Sequence, residues 1–185
     1  MTVTAITATA IITGIGCSLL ASFIFLFLIL FFLRPTIRIS PYVSRQMDEE
    51  KGQIKFVFKI VNKSIFSVFD IRAELAELEK LPVEGPNMNI RIKKLKLVHD
   101  GRVEYMPRFK SKKRCKPYAL HAIRFNSFDL EIDNILKDHT KSLQFSITAR
   151  HGLTGLGNHF KQEFANGDVL RMTGFKFGSS LDVVV

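Results

Sequence analysis

Residues 54–61 read Ile54-Lys55-Phe56-Val57-Phe58-Lys59-Ile60-Val61. Ile54, Phe56, Phe58 and Ile60 alternate with Lys55, Val57, Lys59 and Val61, the period-two pattern of a strand half-buried on one face. After the turn Asn62-Lys63-Ser64 the alternation resumes, with Phe69, Ile71, Ala73 and Leu75 set against Asp70, Arg72 and Glu74. Ile90, Ile92, Leu95 and Leu97 make a third strand, whose parity slips at Lys93-Lys94 and predicts a β-bulge with both lysines in water. Shorter strands are expected over 103–106, 118–125, 143–149, 159–164 and 174–183, and a short helix over 128–136. Many short strands separated by Pro, Gly and Asn turns, with no long amphipathic helix, predict a mainly β chain folded as an immunoglobulin-like β-sandwich.

N-terminal to these strands the solvent changes. The first 33 residues contain no Asp, Glu, Lys, Arg or His, so all 27 basic and 17 acidic side chains fall in residues 34–185, which carry the net charge of +10. Residues 11–33 are uncharged and mostly apolar; at 1.5 Å per residue they make about 34 Å of helix, enough to cross a hydrocarbon core of roughly 30 Å. No basic n-region precedes them, which favours a retained single-pass anchor over a cleaved signal. Arg34, Arg38 and Arg45 follow the helix, and excess Lys and Arg keeps its side cytoplasmic, so the N-terminus is expected outside and the β domain in the cytoplasm. On that reading Asn62-Lys63-Ser64 is a polar turn, not a used glycosylation sequon. Ala10, Gly14, Ser18 and Ser22 recur every fourth residue, a stripe of small side chains suited to helix packing in lipid. The expected division is a helical head over 1–33, a charged connector over 34–53 and the β-sandwich over 54–185.

The body resembles the cytoplasmic C-terminal domain of inward-rectifier potassium channels. Arg34-Pro35 follows a membrane helix, and Lys51-Gly52 with the strand from Phe56 to Asn62 looks like that family's first strand. Ser127-Phe128-Asp129-Leu130, Leu143-Gln144-Phe145-Ser146-Ile147 and Thr154-Gly155-Leu156 look like a later strand and its Thr-Gly turn. Asp168-Val169-Leu170 and Gly174-Phe175-Lys176-Phe177 look like its closing strands. The resemblance spans about residues 34–183 and implies a cytoplasmic sandwich prone to ring assembly. It departs from the family in having one membrane helix and no filter loop, so this chain alone cannot build that pore.

Residues 108–116 hold six cations and no anion: Arg108, Lys110, Lys112, Lys113, Arg114 and Lys116. With Arg34 and Arg38 they form the candidate surface for an anionic ligand or head group. A solvated loop or protein contact, membrane lipid, and nucleic acid or a nucleotide stacked on Phe109 or Tyr118 all fit such a run; nucleic acid is disfavoured because no recognition motif accompanies it. Cations around Cys115 would make its thiol reactive, against the plainer reading of an incidental cysteine. With Cys17 in the apolar head, no disulfide scaffold is expected.

Catalytic and metal signatures are lacking. The five histidines have no helical i, i+4 spacing, and Gly152-Leu-Thr-Gly-Leu-Gly157 between His151 and His159 opens no helix and lacks the dinucleotide order. Asp129, Glu131 and Asp133 alternate like a calcium loop but lack its turn glycine and closing Glu. Glu74, Glu77 and Glu79 read as a solvated face. The sequence therefore predicts no enzyme, no cofactor and no metal. It predicts a membrane protein whose sandwich mediates assembly or regulation, as a homo-oligomer or with a protein partner. The alternatives are a subunit of a channel-like or membrane-permeabilising assembly, and a tethered sensor of a nucleotide or other anion.

Overall fold

The computed structural model describes residues 2–82, 88–110, 120–152, 154–165 and 167–184. Two compact units divide the chain, Met1–Arg34 and Pro35–Val185. The first is a single helix, α1 (Thr2–Phe32), of which Ile11–Phe32 is long and apolar enough to cross a membrane. Its described side chains are almost all exposed, including Phe23, Phe25, Phe27 and Phe31. A helix that is apolar on every face has no aqueous side to turn outward.

The second unit is built from β1 (Ile37–Ile39), β2 (Val43–Asp48), β3 (Gln53–Asn62), β4 (Val68–Pro82), β5 (Met88–Leu95), β6 (Arg102–Met106), β7 (Ala122–Ser127), α2 (Glu131–Lys137), β8 (Lys141–His151), β9 (Gly157–Phe164) and β10 (Leu170–Arg171). In one sheet β3 pairs with β7 on one side and with β1 and β2 on the other, all antiparallel, and β10 joins β2 in parallel. In the second, wholly antiparallel sheet, β4 pairs with β5 and β6 on one side and β8 on the other, with β9 beyond β8. The inner faces meet as a sandwich. Phe58 of the first sheet stacks on Phe145 of the second with ring centroids 4.9 Å apart, and Phe125 and Phe164 complete the aromatic centre. Ile132, Ile135 and Leu136 of α2 join this core. The mainly β class, the two-sheet architecture and the preceding apolar helix agree with the alternation and the uncharged head.

Several local expectations are corrected. The stretch 34–53 is not a free connector, because Ile37 and Val43 are core residues and β1 and β2 flank β3. No bulge interrupts β5: Lys93 and Lys94 pair in unbroken register with Glu77 and Ala76. The irregularity falls between Phe69 and Arg72, where Asp70 takes a left-handed φ of 46°. The strand begun at Phe69 continues to Pro82, and that begun at Ile90 ends at Leu95. Over 174–183 the chain forms only the bridge Phe175↔Val183. Glu77 is buried and bonded to Lys141 at 2.7 Å, not solvated.

The largest departure is at β3, which is buried on both faces: Val57, Lys59 and Val61 are as enclosed as Phe56, Phe58 and Ile60. The C-terminal segment lies over the outer face, where Phe175 and Val183 pack on Val57. It is tied down by side chains that donate to its carbonyls: Ser40 to Leu181, Ser44 to Thr173 and Lys59 to Lys176.

Candidate anion-binding site

The strand alternation delivers Asn62 to the end of β3, where it is fully buried. Its amide donates to the carbonyls of Phe66 (3.1 Å) and Pro107 (2.9 Å) and its carbonyl accepts from the Ser64 amide (2.8 Å). Asn62 is thus a stitch among three chain segments, and its buried amide is closed to glycosylation in the folded domain. Ser64 extends the stitch: its Oγ accepts from the Thr36 amide at 2.7 Å, and its carbonyl accepts from the Phe109 amide at 3.0 Å. Lys63 donates its backbone N–H to the Thr36 carbonyl, and Asn62 donates its own to His121.

These bonds gather cations from distant parts of the sequence. Arg38 is close enough to Lys63 that, after burial, its charge depresses the lysine's pKa further. The Lys63 ammonium lies over the Phe109 ring, 4.6 Å from its centroid, and that ring meets the His121 imidazole edge-on at 5.3 Å. His121 is buried and its Nε2 has no hydrogen-bond partner among the described residues. Burial lowers its pKa below the usual 6.5, and the charges of Lys63, Lys110 and Lys59 add to the effect. A cation–π contact with Phe109 holds Lys63 in place without neutralising it. The site is therefore a cluster of positive charge around a buried imidazole, with no carboxylate among the described groups that perturb His121 or Lys63. Such a cluster has the charge to attract an anion, and an anion there would raise the pKa of His121.

Of the residues expected on this surface, Arg38, Arg108 and Lys110 are placed on the β domain, all exposed. Arg34 belongs to the helical unit. Lys112, Lys113, Arg114 and Lys116, together with Cys115 and Tyr118, lie outside the described residues. The structure adds Lys63 and His121, which the sequence pattern places in a turn and among scattered histidines. The signal available was the Asn62-Lys63-Ser64 triplet itself, since a polar turn after a buried strand carries its lysine to the strand end. Of the helix stripe, Gly14 has open space where a Cβ would stand, Ser18 is exposed, and Ser22 Oγ donates to the Ser18 carbonyl at 2.9 Å. Nothing is described of the Ala10 side chain.

The remaining chemistry-bearing groups are occupied structurally. Asp129 accepts from the Glu131 amide, Glu131 pairs with Lys93 and Asp133 with Arg45, so the alternating acids point to different partners. His151 packs edge-on against Phe66, whereas His159 shares a hydrogen bond with Thr148. Among the described residues no three His, Cys, Asp or Glu side chains converge as a metal site. No family model and no curated protein sequence matches the chain.

Proposed function

We propose that this chain is a non-catalytic, single-pass membrane protein whose cytoplasmic β-sandwich engages anionic head groups and so supports assembly or regulation at the membrane. The observation that carries this reading is the gathering of Lys63 and Lys110 about His121, with Arg38 of β1 beside Lys63, in a chain whose β domain follows an uncharged membrane-length helix within a few residues in sequence. A domain tethered beside an anionic leaflet gains on the order of 1 kcal/mol per basic residue near that surface. The positive flank Arg34, Arg38 and Arg45 supports the cytoplasmic placement. The resemblance to inward-rectifier cytoplasmic domains supports self-assembly of the sandwich, with the Gly14, Ser18 and Ser22 stripe as a second contact in lipid.

The test is vesicle sedimentation of residues 35–185 with neutral and with phosphatidylserine-containing vesicles, at low and high salt. Binding confined to the anionic vesicles, weakened by salt and by Lys63→Glu or Arg38→Glu, supports the reading. Equal partition to both vesicle types, or charge reversals without effect, refutes it. Cysteine accessibility at introduced positions on either side of α1 tests the orientation separately.

A further inference from the structure

Lys59 on β3 and Arg124 on β7 stand directly opposite each other in the antiparallel register. Like charges in that relation destabilise a strand pair, and both side chains rise from the outer face, beneath or beside the C-terminal segment. Lys59 is 1% exposed, so water can satisfy little of it. An ammonium has three donors; among the described residues Lys59 Nζ donates to the Lys176 carbonyl at 2.7 Å and lies 5.8 Å from the Phe175 ring centroid. Arg124 has five donors and gives one, to the Phe175 carbonyl at 3.2 Å. The fold thus encloses one cation, Lys59, directly beside a second, Arg124, whose remaining donors face solvent.

Beside them opens a cleft of about 450 Å³. Lys59 and Arg124 supply its charge, and Leu120, Ile123 and Phe177 supply apolar wall. Leu120 and Phe177 are each 68% exposed and so present apolar surface to the cleft. The size falls within the range of small-molecule sites, which combine apolar walls with a few convergent polar groups.

The charge balance narrows the ligand. Lys59 and Arg124 contribute two positive charges and the nearby Asp182 one negative, leaving a net of +1 that attracts an anion and that a single carboxylate neutralises. The carbonyls of Phe175 and Lys176 add further negative potential. A planar two-oxygen anion fits the guanidinium fork, which can take both oxygens at once.

We propose that the cleft beside Lys59 and Arg124 is a binding site for an apolar monocarboxylate. The carboxylate sits on the exposed Arg124 guanidinium, backed by the charge of the enclosed Lys59, and the hydrocarbon or aryl body lies against Leu120, Ile123 and Phe177. This cleft lies on the outer face of β3 and β7, and its Lys59 also bears on His121 of the head-group cluster.

The probe is naphthoate, titrated into the full chain in nanodiscs near neutral pH and followed by its own fluorescence; the chain has no Trp to interfere. Empty nanodiscs supply the partition background. Saturable binding above that background is expected, at least tenfold tighter than that of naphthalenemethanol, which has the same rings and no charge. Lys59→Met and Arg124→Gln should each weaken it at least tenfold. Arg124 is exposed, so Arg124→Gln keeps the test sound even if Lys59→Met fails to fold. No saturable signal, equal affinity for the alcohol, or an unchanged Arg124→Gln overturns the proposal, as does inorganic phosphate competing as well as naphthoate.

Discussion

Lys59 offers a stability prediction with a fixed sign. Burial, and then the Arg124 charge, lower its pKa from 10.5 to about 8, against a smaller opposing pull from Asp182. Below about pH 8 the ammonium is charged in both folded and unfolded chains, and the folded chain bears the full cost of that charge. Between about 8 and 10.5 the folded chain releases the proton while the unfolded chain keeps it. The unfolded state then binds more protons, so stability rises with pH. Above 10.5 both are neutral and the cost is gone. A gap of about 2.5 in pKa, at about 1.4 kcal/mol each, sets an upper bound of about 3.5 kcal/mol. Solvent screening of the exposed Arg124 reduces this to roughly 1–3 kcal/mol. The perturbation is Lys59→Met, which fills the same space without charge. The assay is urea unfolding of the full chain in micelles, wild type beside variant, from pH 7 to 10.5. Other lysines and tyrosines titrate in both proteins and cancel in the difference. The lost hydrogen bond to Lys176 shifts that difference by a constant, so its pH slope isolates the ammonium. Wild type should gain roughly 1–3 kcal/mol on the variant across the window. A flat difference, or one that moves the other way, refutes the reasoning and returns Lys59 to ordinary solvation.

Further predictions rest on independent parts of the molecule. Phe145→Ala opens a hole between Phe58 and Phe125 in the aromatic centre and should cost about 3–5 kcal/mol by the same unfolding assay. Gly101→Ala forces a Cβ to within 2.3 Å of the Ala73 carbonyl oxygen at a φ of +64°, and should cost at least about 2 kcal/mol. Asn62→Ala strands two carbonyls and one amide, a loss of about 2–4 kcal/mol, and hydrogen exchange should report it first at Ser64. At the head-group cluster, Lys63→Glu should weaken binding to anionic vesicles about tenfold. Because a bound anion raises the depressed pKa of His121, that binding should strengthen as pH falls from neutral into the acidic range and become flat in His121→Gln.

The parts of the fold legible in the sequence are those where one solvent dominates. Residues 11–33 carry no charge, and a single helix long and apolar enough to cross a membrane follows from that stretch. Phe56, Phe58, Phe145 and Ile147 fall on a period of two, and each lands in the core between the sheets. Short strands escape notice where the chain has too few residues to show a period. β1 has three residues and β10 two, and their pairing with β3 and β2 comes from tertiary contact. The bulge is misplaced for a related reason. Parity slips at Lys93-Lys94 because β5 runs past the core there and its lysines pair with Glu131 and Glu74, so the residues no longer report a buried face.

The basic site divides along the same line. A run of charge in sequence marks Arg108 and Lys110, whereas Lys63 and His121 join them only because Asn62 and Ser64 tie three segments together. Lys59 shows how such reading can mislead. Strict alternation turns Lys55, Lys59 and Arg124 outward, and an outward lysine in an isolated sheet is a solvated one. What inverts the inference is the C-terminal segment, distant by more than a hundred residues, which seals that face with Phe175 and Val183 and leaves Lys59 enclosed. Period-two arguments identify which side of a strand a residue occupies but not whether a later segment covers that side. A cation on such a covered face, directly opposite a second cation, is costly to the fold through both desolvation and repulsion. A bound carboxylate is the occupant that converts that cost into binding.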